Sequence, residues 1–360
     1  MYVLAVGLVS PQSGNFDDLA RRASDALDTN PQEAAALYEQ AVALRPGWAD
    51  GWLYRGAALF RLGRFREARD SLRQGVALAP AKGTPLAFLG MAEYELGDYR
   101  QAISDILKGE AIGLADKPDF ITAVHYRAAL CYLRFSDFPL ALEQLKPLVK
   151  SGIQSDAVTQ ALGVSVLALR YLPLTLPREK QELVNLAGRA AWAFLAERPN
   201  EATPLFAQLV SRFPGEPGVH YMNGVFLLDH DPDAAEQEFR RELQITPSHV
   251  LARVQLALLL SRSGDTAAAV QLASEAASLE PSNPMCQVTL GRVLLGAGRT
   301  GQAIAALEKA EKIAPDAART HFYLEQAYRR AGRSADALKE EAEWRRLGAE
   351  QEPVEITTRP

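Results

Sequence analysis

Proline recurs along this chain at a nearly constant interval, and this interval strongly limits how the chain can fold. Two N-terminal prolines lie 34 residues apart, and four C-terminal ones follow at intervals of 33, 34 and 34 residues: Pro46 and Pro80, then Pro214, Pro247, Pro281 and Pro315. Each ends an apolar run, and proline cannot continue a helix. A fixed period of this length predicts a stack of helical hairpins.

Small residues recur at two fixed places within the period. Gly56 and Ala68 occupy them in one repeat, and Gly291 and Ala303 occupy them in another. Small side chains there predict two helices that approach closely. A glycine between the two helices supplies the left-handed residue that ends the first helix. Five repeats carry that glycine: Gly63, Gly97, Gly264, Gly298 and Gly332.

These residues resemble the tetratricopeptide repeat, whose period is 34. The resemblance runs from about Phe16 to Leu347 and is typical of bacterial multi-repeat chains. It implies an all-α fold, a right-handed α-solenoid or superhelix of about nine to ten helix–turn–helix repeats, with an irregular unit in the middle. The pattern weakens at Leu114, which replaces a proline, and at Ser136, which stands in a glycine turn.

Two prolines near the middle, Pro173 and Pro177, predict a break in the array. An apolar helix over 157–171 runs into them, and a new helix begins near Arg178 and is expected to pair with 200–213. We therefore expect the fifth unit to have lost one helix. The predicted organisation is a leader over 1–15, an N-terminal array over 16–154, a break over 155–177, a C-terminal array with a capping helix over 178–347, and a tail over 348–360.

The first nine residues are apolar and contain no lysine or arginine, so the apolar core of an export signal is present without its basic start. They fit either the remnant of an export signal or a disordered leader. Export to the periplasm is slightly favoured over a cytoplasmic location. At the other end, Trp344 lies on the outward face of the last helix. We expect the tail, rather than a partner, to fold over it.

Composition and motifs exclude several classes of function. A net charge of -5 disfavours a nucleic-acid partner, and no apolar run approaches a membrane span of about 20 residues. Catalytic motifs and zinc-type Cys or His spacings are absent from the sequence. We expect no enzyme activity, cofactor, metal or small-molecule substrate. The histidines, including His220 and His321, are interpreted as structural, and Asp231 as the cap of a helix that begins at Pro232.

The resemblance places a peptide ligand in the concave groove formed by the first helix of each repeat. The candidate contact residues of the N-terminal half are apolar or aromatic, which suits an apolar helix or extended segment. Lysine and asparagine, which clamp a terminal carboxylate in the chaperone-binding branch of the family, are missing there. The alternative is that tight superhelical curvature or the chain's own N-terminal segment covers these residues, since apolar residues at helical spacing are more often core than site. The candidates are Leu53, Ala57, Phe60, Ala87, Met91, Tyr94, Tyr126, Leu130 and Leu133.

The candidate contact residues of the C-terminal half are polar and mostly basic, which suits an acidic ligand segment. The alternative is a solvated face paired with Glu308, Glu311 and Glu325. The candidates are Arg292, Arg319, Gln326, Arg329 and Arg330.

These patterns predict a non-catalytic scaffold that binds a protein or peptide on the concave face of a superhelix. Two alternatives stay open. One is an accessory subunit of a separate enzyme or of a secretion or envelope-assembly complex. The other is a self-assembling structural protein.

Overall fold

A computed structural model describes residues 11–115 and 117–350, with side chains over 15–115 and 117–348. These residues form nineteen α-helices and one 3-10 turn, without a strand among them. The predicted all-α solenoid of helix–turn–helix repeats is confirmed. Residues 1–10 and 351–360 lie outside the described residues, and with them most of the predicted leader and the tail expected over Trp344.

The helices fall into two compact units, and the first unit ends at Ala202. Each of its helices packs mainly against the helix before it and the helix after it. In chain order they are α1 (Pro11–Ala26), α2 (Pro31–Leu44), α3 (Ala49–Arg61), α4 (Phe65–Leu78), α5 (Gly83–Glu95), α6 (Tyr99–Ile112), α7 (Pro118–Arg134), α8 (Phe138–Lys150), α9 (Asp156–Val166) and α10 (Arg178–Leu195), with a 3-10 turn at Pro173–Thr175.

The second unit begins at Thr203, within α11. Its helices are α11 (Pro199–Arg212), α12 (Val219–Leu227), α13 (Pro232–Ile245), α14 (Val250–Ser263), α15 (Thr266–Leu279), α16 (Pro284–Gly296), α17 (Thr300–Ile313), α18 (Ala318–Arg330) and α19 (Ser334–Glu350). From α12 onward its helices also pack in sequential pairs. Because α1 begins at Pro11, residues 11–15 of the predicted leader are helical.

Short polar side chains begin several of these helices. The Asp231 carboxylate accepts a hydrogen bond from the Ala234 amide at 3.0 Å, and α13 begins at Pro232 as predicted. Asn30 caps α2 in the same way, with Pro31 at the first helical position. Capping satisfies one of the amides that the first turn leaves unpaired. The start of α13 is therefore encoded locally.

The connection between the paired helices requires a left-handed residue. Gly63 supplies it between α3 and α4 with a φ of 72°. Between α7 and α8 the same role falls to Ser136, whose φ is 58°. A side chain disfavours this conformation, so the fold imposes strain at Ser136. The turn geometry persists although the glycine is missing.

Helices α9 and α10 approach each other closely. A Cβ atom on Gly163 would lie 2.1 Å from the Val184 carbonyl oxygen, and one on Gly188 would lie 1.9 Å from that of Thr159. This crossing corrects the sequence interpretation at two points. The first helix ends at Val166, not near 171, and α10 packs against it, so α9 does not lack a helical partner. The proposed domain boundaries stay a prediction.

A side chain six residues after the repeat proline fixes the start of the next helical pair. It donates a hydrogen bond to the carbonyl oxygen of that proline, which has no helical partner of its own. The four examples are Trp52 to Pro46 at 2.9 Å, His220 to Pro214 at 2.9 Å, Gln287 to Pro281 at 3.3 Å and His321 to Pro315 at 2.7 Å.

Candidate protein-binding groove

A groove of about 650 Å³ opens in the N-terminal unit between α3, α5 and α7. The three helices form its wall, and the segments that follow α1, α4 and α6 form its ends. Its apolar lining includes Leu53, Tyr54, Ala57, Phe88, Ile112 and Phe120. Ile112 is 48% exposed, which is high for a large apolar side chain. We call this cavity the N-terminal groove.

Aromatic rings from three successive repeats form a row along this wall. Phe88 contacts Phe60 edge to face, with ring centroids 5.4 Å apart, and stacks on Phe120 at 5.3 Å. All three rings are half-buried, so packing holds them while part of their surface stays open. Such rings offer contact area that loses little side-chain freedom on binding.

Charged side chains surround the groove in pairs that join neighbouring repeats. The Lys82 ammonium lies 2.9 Å from the Asp50 carboxylate. Arg61 lies 2.9 Å from the Asp28 carboxylate and also donates to the Leu27 carbonyl oxygen at 2.6 Å. These pairs balance four of the charged residues at the groove, and Lys117 is a fifth. The rest of the lining is mainly apolar.

The nine predicted N-terminal contact residues do not share one environment. Leu53 and Ala57 line the groove, and Phe60 belongs to the aromatic row. Tyr94 and Tyr126 are half-buried, and burial raises the pKa of the Tyr94 hydroxyl to about 12. The other four side chains are 0–7% exposed and contribute to packing between helices: Ala87, Met91, Leu130 and Leu133.

Three aromatic groove residues were not among the sequence candidates, namely Tyr54, Phe88 and Phe120. Tyr54 and Phe88 each lie one residue after a candidate, Leu53 and Ala87. The sequence signal was an aromatic side chain at the same place in two consecutive repeats. Phe120 was not recognisable in this way, because α7 begins earlier in its repeat than α3 and α5 do.

The candidate arginines of the C-terminal unit are largely engaged within the protein. Arg329 forms ion pairs with Glu325 and with Glu341, the latter at 2.8 Å. The Arg292 guanidinium lies 5.8 Å from the centre of the Tyr323 ring.

Arg330 donates to the Leu295 carbonyl oxygen at 2.6 Å and so binds the preceding repeat. Arg61 makes the equivalent bond to Leu27 in the N-terminal unit. Of the remaining candidates, Arg319 is exposed and Gln326 is half-buried. The C-terminal wall therefore has less available positive charge than its sequence indicates.

A buried pair of carboxyl groups lies behind the groove wall, on α5 and α6. Glu93 is 1% exposed and Asp105 is 6% exposed. Burial, and then the proximity of Asp105, raise the pKa of Glu93 to about 7, although Arg73 donates to its carboxylate at 3.3 Å. Two carboxylates removed from water cannot both ionise cheaply. We therefore expect the stability of the helix pair α5 and α6 to depend on pH near neutrality.

Two family profiles match this chain, and both carry the description "Tetratricopeptide repeat". One matches residues 49–82 and the other residues 260–321. The first stretch contains the pair α3 and α4, and the second contains α15, α16 and α17. These two stretches of the chain are tetratricopeptide repeats. Tetratricopeptide repeats bind proteins or peptides, so the general role of the chain is that of a protein-interaction scaffold.

Solved structures of MamA are similar to about half of this chain. The RS-1 ArsTM double mutant of MamA is 18% identical, covers 49% of this chain and 99% of its own, and has a TM-score of 0.43. MamA 41-end from Desulfovibrio magneticus RS-1 is 18% identical, with coverages of 50% and 100% and a TM-score of 0.43. MamA AMB-1 is 23% identical, with coverages of 46% and 98% and a TM-score of 0.38. No curated protein sequence matches the chain.

Two further observations bear on the predicted properties of this repeat protein. Among the helices that the structure describes, none combines the length and apolar character needed to cross a bilayer. Both cysteines, Cys131 and Cys286, are buried as free thiols, and burial raises their pKa values to about 12 and about 11. Buried thiols of raised pKa are poor nucleophiles.

Proposed function

We propose that the protein is a non-catalytic scaffold that binds an apolar peptide segment of a partner protein in the N-terminal groove. The observation that supports this most is the half-open aromatic row of Phe60, Phe88 and Phe120 beside a cavity of about 650 Å³. Such a volume accommodates a few side chains of a peptide. Apolar burial against rings would supply most of the binding free energy.

The charge around the groove supports a partner segment with few charges. Lys82 and Arg61 are already paired with Asp50 and Asp28. A strongly acidic or basic peptide would have to displace one member of such a pair. We therefore expect binding that changes little with salt concentration, since screening acts on unpaired charges.

The proposal is tested by selecting peptides from a random displayed library on the intact chain and measuring their Kd by fluorescence anisotropy. Ile112 lines the groove, whereas Leu279 occupies the same repeat position in the other unit with similar exposure, 48% against 46%. Ile112→Asp is expected to weaken the selected peptides about tenfold, with Leu279→Asp as the matched control. Equal Kd values for the two variants would exclude the groove.

A further inference from the structure

Three side chains of the C-terminal unit converge near the end of the repeat array. Glu311 on α17, His321 on α18 and Glu340 on α19 each offer one ligand atom, and these atoms lie within 4.8 Å of one another. His321 is 3% exposed and Glu340 is 4% exposed, whereas Glu311 is half-buried. An imidazole and two carboxylates are thus held together by three different helices.

Hydrogen bonding determines which imidazole nitrogen is available. The Nε2 atom of His321 lies 2.7 Å from the Pro315 carbonyl oxygen. A carbonyl can only accept, so Nε2 must carry the hydrogen. Bonding of one ring N–H to a backbone carbonyl is the arrangement that orients metal-binding histidines. It leaves Nδ1 as the basic atom.

The Nδ1 atom faces the Glu340 carboxylate at 2.7 Å. A neutral Nδ1 and a carboxylate are both hydrogen-bond acceptors, so this contact requires a positive species between them. A proton on Nδ1 is one such species. Burial opposes a charged imidazole, but the bonds to Glu340 and to the Pro315 carbonyl raise the pKa of His321 above its usual value. The 2.7 Å separation is that of a hydrogen bond, so a proton lies between the two atoms here. A divalent cation could take the place of this proton if the two side chains moved apart to about 3.3 Å, because zinc bonds to each ligand at about 2 Å.

A second histidine in the same unit, His220, provides a comparison for the cluster around His321. His220 makes the equivalent contacts, with Nδ1 2.6 Å from Glu238 and Nε2 2.9 Å from the Pro214 carbonyl oxygen. There, however, Arg241 supplies positive charge at 2.5 Å from Glu238.

The sequences near the two histidines differ in charge. The surroundings of His321 are more acidic than those of His220, and this favours binding of a cation. Four residues before the proline, the His220 repeat has Val210 where the His321 repeat has Glu311. Three residues after the bonded glutamate, Arg241 is replaced by Glu343. Among the described ion pairs, the only side chain other than His321 that places positive charge near Glu340 is the exposed Lys339, whose ammonium lies 4.0 Å from the carboxylate.

We propose that Glu311, His321 and Glu340 form a binding site for one divalent transition-metal ion such as zinc. Imidazole nitrogen and carboxylate oxygen are ligands that zinc prefers, and three protein ligands leave a position for water. Binding forms bonds from the metal to Nδ1 and to both carboxylates. The proton on Nδ1 leaves to the solvent, so the metal replaces the proton between His321 and Glu340. Such a site would join the last three helices of the array.

The test is equilibrium dialysis of the untagged full chain against zinc chloride, with bound metal measured by mass spectrometry. About one zinc per chain is expected. Glu311→Gln should weaken binding at least tenfold, because it removes a ligand from a half-buried position without disturbing the core. Glu340→Gln should abolish it. The matched control, His220→Gln, should keep one zinc per chain, with circular dichroism confirming the fold of each variant.

A second measurement separates this site from scattered surface binding. Calorimetry in buffers of different ionisation enthalpy should show that protons are released when zinc binds, because the metal takes the place of the proton between His321 and Glu340. The proposal fails if the wild-type chain retains much less than one zinc. It also fails if Glu311→Gln binds as the wild type does, or if His220→Gln loses the metal instead. In each of these cases His321 and Glu340 are an ion pair that holds only a proton.

Discussion

The inner walls of the two units use the same repeat positions for different purposes. At one position the N-terminal unit presents Phe88 to an open groove, whereas the C-terminal unit presents Tyr323, beside Phe322 and the Arg292 guanidinium. At another, Arg61 and Arg330 both donate to a backbone carbonyl of the preceding repeat. A charged residue on the wall is therefore not by itself a ligand contact. In the first unit, part of the apolar surface of the groove stays open to solvent.

The largest expected effect comes from removing the central ring of the aromatic row. Phe88→Ala should weaken a selected peptide about 30-fold, or about 2 kcal/mol, because the ring provides contact area and supports Phe60 and Phe120. The matched variant Tyr323→Ala lies in the other unit and should leave the Kd unchanged. Anisotropy titrations of both variants test this. Equal losses would show that the two walls do not differ in function.

The stability of the N-terminal groove wall should depend on pH, because Glu93 is buried behind it. The folded pKa of about 7 is above the ordinary value of 4.5. The protonated carboxyl therefore stabilises the fold fully below pH 4.5, and this contribution is lost as pH rises through about 7. Glu93→Gln cannot ionise, so at pH 8.5 it should be more stable than the wild type by about 1.5 kcal/mol. Urea unfolding at several pH values measures this difference, and a gain that does not grow with pH would contradict the assignment.

Charge reversal on the C-terminal wall should affect stability more than binding. Arg329→Glu would place a third carboxylate beside Glu325 and Glu341, and should cost about 1 kcal/mol, since the arginine is largely exposed. The exposed Arg319 provides the control, and Arg319→Glu should change the unfolding free energy by less than about 0.5 kcal/mol. If Arg329→Glu weakened peptide binding without lowering the free energy of unfolding, Arg329 would be a ligand contact and not a stabilising residue.

The smallest effect concerns the turn that follows α7, the last helix of the groove wall. Ser136→Gly should stabilise the chain by about 0.5 kcal/mol, because glycine adopts a positive φ without steric cost but gains freedom in the unfolded chain. Gly63→Ala, at the equivalent turn after α3, should destabilise it. Thermal unfolding of the two variants provides the measurement. Destabilisation by Ser136→Gly would mean that the serine side chain contributes more than its backbone strain costs.

The repeat period determined much of what could be predicted about the fold. Local signals were reliable: helices end at the repeat prolines, the turn glycines have positive φ angles, and Asp231 caps α13. The pairing of α9 with α10 was missed because it depends on Gly163 and Gly188, which lie 25 residues apart around an irregular connection. Long-range packing is not encoded in helical periodicity.

The candidate site was less predictable than the fold. Met91 and Leu130 are buried, while Phe88 borders the groove, although all three fit the same helical apolar pattern. Which apolar face stays open depends on how neighbouring repeats pack. The bond from Arg330 to the Leu295 carbonyl is likewise non-local, so the sequence showed the charge but not its partner.

Photo-crosslinking from a matched pair of positions tests the central claim most directly. Benzoylphenylalanine would replace Ile112 at the rim of the groove, or Leu279 at the same position of the other unit, in the presence of a selected peptide. A crosslinked adduct from position 112 and none from position 279 is the predicted result. Crosslinking from 279 alone, or from neither position at saturating peptide, would contradict binding in the N-terminal groove.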